Sequence, residues 1–522
     1  MKNERREGDV LPGTFPNLEE REYQINMYEE VRGSDSLVVL PTGLGKTVIA
    51  LFLISEKVKN ADAPVFFLAP SKPLSLQHAE MLRKNLEASV EVVTGETHGP
   101  SERGEVWKSS DVFVATPQTV RNDLEEGRLS LESCPLIVFD EAHRATGDYS
   151  YVKVNEMYRE TADSPQVLGL TASPGNDLDS LKEVAENLKL EKISIRDETD
   201  PDVRPYLGEK FIEKVELEKT PPISRAEGAL ESMIEECLAF LATCSEKAGK
   251  MDAGTASPKG LKEVMGTLQS RLKSEKSRRL YKGISRAAAA IKLSHLKGLV
   301  TTQGFEPASK FVDKLRDEDT KASSYILGHP RFSTVRRVLG NAKQGDFPKV
   351  QEAMKVLGRH LRKHTGGKAM VFTEYRSTVE LLNRELSREL TIEPEILIGQ
   401  AKKKGMTQKE QKETLDRFGR GEFNTLVSTR IGEEGIDVPT TSLVLFYEPI
   451  PSAVRRIQRK GRTARDGRVG EVKILVMKGT RDEPYYWKGV RGEEKLYRKA
   501  REFGNGLEEK KEGLSLGDFI RT

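Results

Sequence analysis

The stretch that most constrains the fold of this chain is a short apolar run followed by two closely spaced glycines, a lysine and a threonine. Residues 36–40 read Ser-Leu-Val-Val-Leu, residues 41–47 read Pro-Thr-Gly-Leu-Gly-Lys-Thr, and residues 48–54 are again apolar. A strand that enters a glycine turn and then a helix aims backbone N–H groups and a helix N-terminus at one point, where a phosphate can bind. The pattern predicts a phosphate-binding loop in an α/β sheet; the alternative is a strand-to-helix turn without a ligand.

Each residue of the loop has a predicted role. Gly43 and Gly45 allow backbone angles and a close approach that a side chain would block, and Thr42 lies between them and the strand. Lys46 is expected along the β- and γ-phosphates, and the Thr47 hydroxyl is expected to ligate Mg²⁺. The loop therefore predicts a nucleoside triphosphate and Mg²⁺ as cofactors.

A pair of carboxylates follows a second buried run. Residues 135–139 read Pro-Leu-Ile-Val-Phe and are followed by Asp140 and Glu141. An aspartate at the end of a buried strand can hold the Mg²⁺ that bridges two phosphates, and an adjoining glutamate can polarise the attacking water. One acidic residue after a strand is commonly a helix cap, but this pair in a chain that also has the phosphate loop predicts hydrolysis of the triphosphate.

Apolar runs of strand length recur in two blocks. In the first block they alternate with polar or helical stretches, which indicates a parallel sheet with helices on both faces; they are residues 36–40, 64–70, 111–117, 135–140 and 166–171. The second block has no phosphate loop, and its runs are residues 366–373, 395–398, 424–429, 442–447 and 471–477.

Between the blocks, from Lys210 to Gly345, the pattern changes to long helical stretches, at residues 224–245, 261–280 and 284–302. We therefore expect an α/β protein with two doubly wound parallel-sheet domains, residues 1–209 and 346–522, and an all-helical insertion domain, residues 210–345, between them.

Charge is balanced overall but not locally. The 522 residues include 84 Lys and Arg against 81 Asp and Glu, so an anionic partner must be met by a local patch. Such a patch lies within residues 259–297, where basic residues greatly outnumber acidic ones. It predicts contact with a nucleic-acid backbone through Arg271, Lys276 and Arg279. The alternative is a solvated helix face.

Several classes of protein are not expected. No apolar run approaches the roughly 18 residues that cross a bilayer, so we expect a soluble intracellular protein. The three cysteines lack the spacing of a zinc or redox site and are expected to be buried.

The second block contributes a basic motif. Residues 458–465 read Gln-Arg-Lys-Gly-Arg-Thr-Ala-Arg. Arg462 and Arg465 could reach across a cleft to the γ-phosphate as arginine fingers, or they could form a surface patch. Gln24, ahead of the first strand, could present a donor and an acceptor to an adenine edge, although a glutamine on a helix is commonly solvated.

The ordered set of motifs resembles superfamily 2 helicases over nearly the whole chain. This resemblance is carried by the segments PTGLGKT, DEAH, TAS and QRKGRTAR. More narrowly, the chain is similar to the archaeal Hef helicase and its FANCM and Mph1 relatives. The segments that carry this narrower resemblance are LPTGLGKT, APSKPLSLQH, ATPQT, IVFDEAHRA, GLTASPG, GEEGIDVP and KGTRDEPYYW. Lys460 and Ala464 stand where the family often has Arg and Gly.

The resemblance implies the fold, the cofactors and several site residues. The two sheet domains would be RecA-like, with ATP and Mg²⁺ bound between them. Gln24 would read adenine, Gln458 would join the two arginines as a catalytic residue, and Gly435 and Asp437 would approach the nucleotide. The residues implied at the nucleic-acid backbone are Lys72, Thr116, Gln118, Thr373 and Thr429.

The implied function is that of an ATP-dependent DNA helicase or translocase on branched DNA, such as stalled forks and junctions, in DNA repair and replication restart. Fork or repair proteins are among its expected partners, and its expected location is the nucleoid of a prokaryote or the nucleus of a eukaryote. No nuclease is expected, because no further strand–helix array follows residue 477. The alternatives are a duplex-RNA-binding ATPase of the RIG-I-like type and a non-catalytic DNA-binding scaffold.

Overall fold

Two parallel sheets and a helical insertion form the described part of the chain. The structure is a computed structural model; it describes residues 18–175, 177–254, 256–275, 277–399, 405–432, 438–464 and 469–519, with Gly13 and Phe15, except for the side chains of residues 344, 431 and 509–519.

The first sheet has seven parallel strands among these residues, in the order β3-β4-β2-β5-β6-β1-β7. The strands are β1 (Ser36–Val39), β2 (Val65–Leu68), β3 (Val90–Val93), β4 (Val112–Ala115), β5 (Ile137–Asp140), β6 (Val167–Thr171) and β7 (Lys192–Ile195). The five central strands are the predicted apolar runs, buried on both faces. The edge strands β3 and β7 were not predicted, because Glu91 and Lys192 interrupt their apolar character.

Helices cover both faces of this sheet, which confirms the predicted α/β class. They are α1 (Glu22–Val31), α2 (Lys46–Asn60), α3 (Lys72–Asn85), α4 (Pro100–Val106), α5 (Pro117–Glu125), α6 (Ser150–Thr161) and α7 (Leu178–Leu188). Helix α2 buries an unbroken apolar stretch from Ile49 to Ile54, so its N-terminus is held rigidly at the end of β1.

The segment that follows differs from the sequence-based expectation. Residues 210–217 were expected to begin the helical insertion, but they form strand β8 (Lys210–Leu217), an edge strand of the second sheet. Charged residues interrupt the apolar residues of β8, and two of those apolar residues, Phe211 and Ile212, are exposed. A strand of this kind buries little apolar surface, so its sequence lacks the continuous run that revealed the others.

The insertion itself is helical among the described residues. Its helices are α8 (Pro221–Ala242), α9 (Glu246–Gly249), α10 (Pro258–Ser274), α11 (Arg278–Thr302), α12 (Phe305–Asp317), α13 (Lys321–Gly328) and α14 (Phe332–Asn341), and α15 (Pro348–Lys363) then leads into the second sheet. The long helices α8, α10 and α11 correspond to the three predicted ones and pack together through buried leucines and alanines.

The second sheet has six parallel strands among the described residues, in the order β10-β11-β9-β12-β13-β8. Its remaining strands are β9 (Ala369–Phe372), β10 (Pro394–Leu397), β11 (Thr425–Ser428), β12 (Leu443–Phe446) and β13 (Gly470–Met477), and its helices are α16 (Arg376–Leu386), α17 (Gln408–Arg420), α18 (Ala453–Lys460) and α19 (Asp482–Phe519). All five strands correspond to the predicted runs.

Helix α19 connects the two sheets. It begins on the second sheet, where Asp482 accepts a hydrogen bond from the Met477 N–H at 3.1 Å. Farther along, its Tyr497 is buried in the apolar core of the first sheet. Arg501 donates to Asp197 at 2.9 Å and to Asp200 at 2.7 Å. The segment after β13 is therefore a strap that holds the two domains together.

The end of α11 is joined to the second sheet by buried hydrogen bonds. The Gln303 side chain has no exposed surface; its Nε2 donates to Glu448 Oε2 at 3.3 Å, and its Oε1 accepts from the Thr378 hydroxyl at 3.0 Å. The Tyr447 hydroxyl donates to the Gln303 carbonyl at 3.0 Å. The insertion and the second sheet therefore share one interior.

The cysteines and the membrane prediction can be checked directly. The three cysteines are buried and free, as expected. Within the described part of the chain, every helix is too short or too polar to span a membrane.

Candidate active site

The phosphate loop lies between β1 and α2 in the predicted conformation. Gly43 and Gly45 have φ angles of 87° and 76°, in the left-handed region that favours glycine. A Cβ at Gly45 would also lie 2.5 Å from Nε2 of Gln24. The backbone angle and the close approach therefore both require glycine at position 45.

Gln24 is packed against this loop and is not solvated. Its side chain is 2% exposed, and its Nε2 donates to the Leu44 carbonyl at 3.0 Å. Its Oε1 is buried and has no hydrogen-bond partner among the described residues. A buried acceptor is costly unless something donates to it, and an adenine amino group is such a donor. Gln24 therefore fits an adenine nucleotide.

Asp140 is held as a carboxylate at the end of β5. It is 5% exposed, and His78 Nε2 lies 2.9 Å from its Oδ2. Burial alone would raise the pKa of Asp140, but the charges of His78 and Lys46 outweigh it and hold the pKa below the usual value. The Tyr151 hydroxyl donates to the Asp140 carbonyl at 2.6 Å and fixes the strand end. An ionised carboxylate beside Lys46 suits a divalent cation.

Glu141 is connected through His143 to the end of β6. Glu141 has a φ of 49°, an uncommon left-handed conformation for a residue with a side chain. Nδ1 of His143 lies 3.4 Å from Glu141 Oε2 and 3.1 Å from the Thr171 hydroxyl oxygen. That hydroxyl in turn donates to the Ser173 carbonyl at 2.7 Å. His143 therefore links the acidic pair to the Thr171–Ser173 turn, as the segment DEAH could have indicated.

The second domain supplies the opposite wall of the site. A Cβ at Gly461 would lie 1.8 Å from Oγ1 and 3.1 Å from Cβ of Thr42. Thr463 and Ala464 line a pocket together with Arg21 and the phosphate loop. Oγ1 of Thr42 is buried there without a hydrogen-bond partner in the described ranges. The end of α18 and the phosphate loop therefore face each other in direct contact.

The predicted residues of the second wall are buried. Gln458 is 2% exposed and Arg462 is 4% exposed. The Arg462 carbonyl accepts from the Thr441 N–H and from the Thr441 hydroxyl, both at 3.0 Å. Ala464 has a φ of 58°, which explains why related motifs often have glycine there. Lys460, the other departure, forms an ion pair with Glu493 of α19.

A carboxylate that the sequence analysis did not identify orients α18. Burial raises the pKa of Glu374, but its arginine partners outweigh this and hold the pKa below the usual value. The Arg459 guanidinium is fully buried and lies 4.9 Å from the Phe372 ring centroid and 5.4 Å from that of Phe446. No motif marks Glu374, because its three partners are distant in sequence: Arg430, Arg455 and Arg459.

The residues predicted to contact nucleic acid are distributed unevenly. Lys72 and Thr116 begin α3 and α5 at one edge of the first sheet; Lys72 pairs with Glu96, and Thr116 is hydrogen-bonded to Thr119. Gln118 is exposed at the same edge.

Thr373 and Thr429 lie in the second domain and expose little surface. The Thr373 side chain is fully buried, and its hydroxyl donates to Glu448 Oε2 at 3.2 Å. Thr429 is 9% exposed. Each follows the end of a strand of the second sheet, β9 or β11, and its contact with nucleic acid stays a prediction.

Two residues of the predicted basic patch cap a helix. Arg271 Nη1 donates to the Cys244 carbonyl at 2.9 Å, and Arg279 Nη2 donates to the Thr243 carbonyl at 2.7 Å. Both stabilise the C-terminal end of α8, where cations are favourable. Contact of Arg271 and Arg279 with nucleic acid stays a prediction. Four other predicted site residues lie outside the residues that the structure describes: Lys276 of the basic patch, and Gly435, Asp437 and Arg465 of the nucleotide site.

Comparison with known proteins gives matches across both sheets. Residues 21–181 match the DEAD/DEAH box helicase family, and residues 349–467 match the helicase conserved C-terminal domain. The crystal structure of the Pyrococcus furiosus Hef helicase domain is similar with a TM-score of 0.69 and 40% identity, over 90% of this chain and 97% of that one.

Longer relatives match over most of this chain. A provisionally named ATP-dependent RNA helicase of Methanocaldococcus jannaschii is 35% identical over 92% of this chain and 60% of its own length. The ATP-dependent DNA helicase mph1 of Neurospora crassa is 31% identical over 89% of this chain and 41% of its own length. The chain thus spans between about two fifths and three fifths of these relatives. It belongs to the DEAD/DEAH box helicases of superfamily 2, in the group of Hef, FANCM and Mph1.

Proposed function

We propose that this chain is an ATP-dependent DNA helicase or translocase that acts on branched DNA, such as stalled forks and junctions, in DNA repair and replication restart. The observation that carries the proposal is the contact between Thr42 of the phosphate loop and Gly461 of the second domain. When two such walls close on a nucleotide, the two domains move relative to each other, together with any nucleic acid bound to them. The Neurospora relative, which is named as an ATP-dependent DNA helicase, supports DNA as the substrate.

The residues of the two walls divide the work of ATP hydrolysis. Lys46 would neutralise the phosphates, and Thr47 and Asp140 would hold Mg²⁺, which neutralises charge on the β- and γ-phosphates when bound. Glu141 would accept the proton of the attacking water. Gln24 would accept a hydrogen bond from adenine through its buried oxygen.

The second wall would complete the site. Arg462, with Arg465, would bring positive charge to the γ-phosphate, and Gln458, Gly435 and Asp437 would contact the nucleotide. Glu374 holds α18, the helix that ends just before Arg462, by binding Arg455 and Arg459. Removal of water on closure strengthens each of these interactions.

The first test compares Lys46→Ala with Lys59→Ala. Lys59 lies in the last turn of the same helix, α2, far from the phosphate loop. Phosphate release stimulated by forked DNA should fall at least 100-fold in Lys46→Ala and stay near the wild-type rate in Lys59→Ala. Binding of both variants to labelled DNA without nucleotide should equal that of wild type. Full turnover by Lys46→Ala would refute the mechanism, and the absence of hydrolysis in wild type would favour a scaffold.

The second test identifies the substrate. Phosphate release is measured with single-stranded, duplex, forked and four-way DNA and with duplex RNA, each at two salt concentrations, because backbone binding weakens with salt. Forked and four-way DNA should stimulate most at either salt concentration. Stronger stimulation by duplex RNA would contradict the proposal and agree with the name of the Methanocaldococcus relative.

A further inference from the structure

Two histidines and a glutamate meet on the second domain, away from the nucleotide site. His360 and His364 lie one turn apart at the end of α15, and Glu471 is the second residue of β13. Glu471 Oε1 lies 3.5 Å from His360 Nδ1 and 4.0 Å from His364 Nε2. One ligand atom from each residue lies within 4.8 Å of the other two. Residues four apart on a helix share a face, so both rings can approach the same point.

Hydrogen bonds fix the tautomer of His360. Its Nε2 lies 2.8 Å from the Ser442 hydroxyl oxygen, and that hydroxyl donates its single proton to the Lys368 carbonyl at 3.1 Å. Nε2 must therefore carry the ring proton and donate to Ser442. Nδ1 is then left with its lone pair.

The lone pair of His360 has no donor to accept from. The residue is 5% exposed, and within the described residues Nδ1 is buried with no hydrogen-bond partner. What it faces is the oxygen of Glu471, which is also an acceptor. A buried acceptor aimed at a carboxylate is unfavourable unless a second ring proton or a metal cation lies between them. This buried, unpartnered nitrogen is an observation independent of the clustering of the three residues.

We propose that His360, His364 and Glu471 bind a divalent transition metal ion of the Zn²⁺ class. Two imidazole nitrogens and one carboxylate oxygen form a ligand set typical of zinc and unsuited to Mg²⁺. Bonds of about 2.0–2.2 Å in tetrahedral geometry separate the ligand atoms by about 3.4 Å. Closing the observed separations requires a small rotation of His364, whose side chain is 42% exposed.

The surroundings fit this assignment. Ser442 orients His360 through the nitrogen that does not face the cluster, as outer partners of zinc-bound histidines do. Lys473 Nζ lies 3.7 Å from Oε2 of Glu471, the oxygen that does not face the histidines. Lys473 also pairs with Glu213, so its charge is shared and the oxygen facing the histidines stays available.

The site would fasten the end of α15 to the start of β13. The Glu471 N–H donates to the Ser442 carbonyl at 2.9 Å. The N–H of Thr441, the residue before Ser442, donates to the Arg462 carbonyl. A bound ion would therefore stabilise the strand ends that anchor the second wall of the active site. The proposal does not depend on the proposed function.

The test is a metal titration of the full chain, with any purification tag removed and Mg²⁺ present to saturate oxygen-rich sites. Co²⁺ is the first probe because its visible absorption reports nitrogen ligands, and Zn²⁺ is then measured by competition. We expect one equivalent to bind to wild type. His364→Ala and Glu471→Gln should each weaken binding at least tenfold. Circular dichroism checks that the variants are folded, as the exposure of His364 leads us to expect.

The matched control is His329→Ala. His329 lies 2.8 Å from Glu236, so it is also a histidine beside a carboxylate, but it is outside the cluster. Wild type and His329→Ala should melt at a higher temperature with Zn²⁺, whereas His364→Ala should not. Binding by wild type no tighter than by His364→Ala, or a loss of binding in His329→Ala alone, would overturn the proposal.

Discussion

A single methyl group at Gly461 should hold the two walls of the active site apart. Gly461 has φ −70° and ψ 4°, which alanine adopts without strain. Its missing Cβ would lie 1.8 Å from Thr42 Oγ1, against an ordinary contact of about 3.5 Å. Rotation of Thr42 would not remove the conflict, because its own Cβ would still be only 3.1 Å distant. The walls must therefore separate in Gly461→Ala, by a few tenths of an ångström if Thr42 rotates and by roughly 1–1.5 Å if it does not.

The expected loss of activity follows from that displacement. A misplacement of about 1 Å in an active site can lower turnover roughly 100-fold. DNA-stimulated phosphate release by Gly461→Ala should fall by about that factor. The melting temperature should not fall, because alanine at a compatible backbone angle reduces the entropy of the unfolded chain. Binding of a fluorescent ATP analogue should change much less than turnover, since the phosphate loop is intact.

Two further variants make the test specific. Thr42→Ala combined with Gly461→Ala removes the colliding oxygen and should recover part of the lost turnover relative to Gly461→Ala alone. Gly228→Ala, on helix α8 where an added Cβ meets nothing within 4 Å, should hydrolyse ATP at the wild-type rate. Wild-type turnover by Gly461→Ala would show that hydrolysis does not require this contact, and the reasoning would be refuted.

Two more predictions concern ion pairs. Glu374→Gln removes the carboxylate that pairs with the buried Arg459 and should lower the free energy of unfolding by about 1–3 kcal/mol. Because the folded pKa of Glu374 is below its unfolded value, its contribution is present above the unfolded pKa and is lost as pH falls through the folded one. Urea unfolding between pH 7 and pH 3 measures this loss. The free energy of unfolding should fall more steeply with decreasing pH in wild type than in Glu374→Gln, and equal slopes of that free energy against pH would contradict the prediction. Arg501→Ala removes the partly exposed pairs with Asp197 and Asp200, so it should cost at most about 1 kcal/mol. Small-angle scattering should nevertheless show more widely separated domains, and an unchanged profile would refute the role of the strap.

The parts of the fold that bury most apolar surface could be predicted from sequence. Continuous apolar runs identified the central strands of both sheets, because a parallel strand is covered on both faces. Strand β8 has no fully buried residue, and charged residues at positions 210, 213, 214 and 216 interrupt it, so it gave no such run.

The candidate site divides in the same way. The phosphate loop, Asp140 and Glu141 were predictable because their chemistry demands fixed spacing within a few residues. His78 and Glu374 act through partners 62 and 85 residues away, which only folding brings together. The resemblance implies that Thr373 contacts the nucleic-acid backbone; in the structure its hydroxyl donates to Glu448, a residue with no signal of its own.

The buried joint at Gln303 determines how force passes through the molecule. The Glu448 side chain accepts a hydrogen bond from Gln303 of the insertion and another from the Glu374 N–H. The Glu374 side chain in turn binds Arg459 of α18. Nucleic acid bound by the helical insertion would therefore be joined, through these buried hydrogen bonds, to the domain that holds Arg462. The chain passes from the first sheet to this unit in the segment before β8 and returns through the strap α19, so a movement between the two sheets would have to bend these two connections.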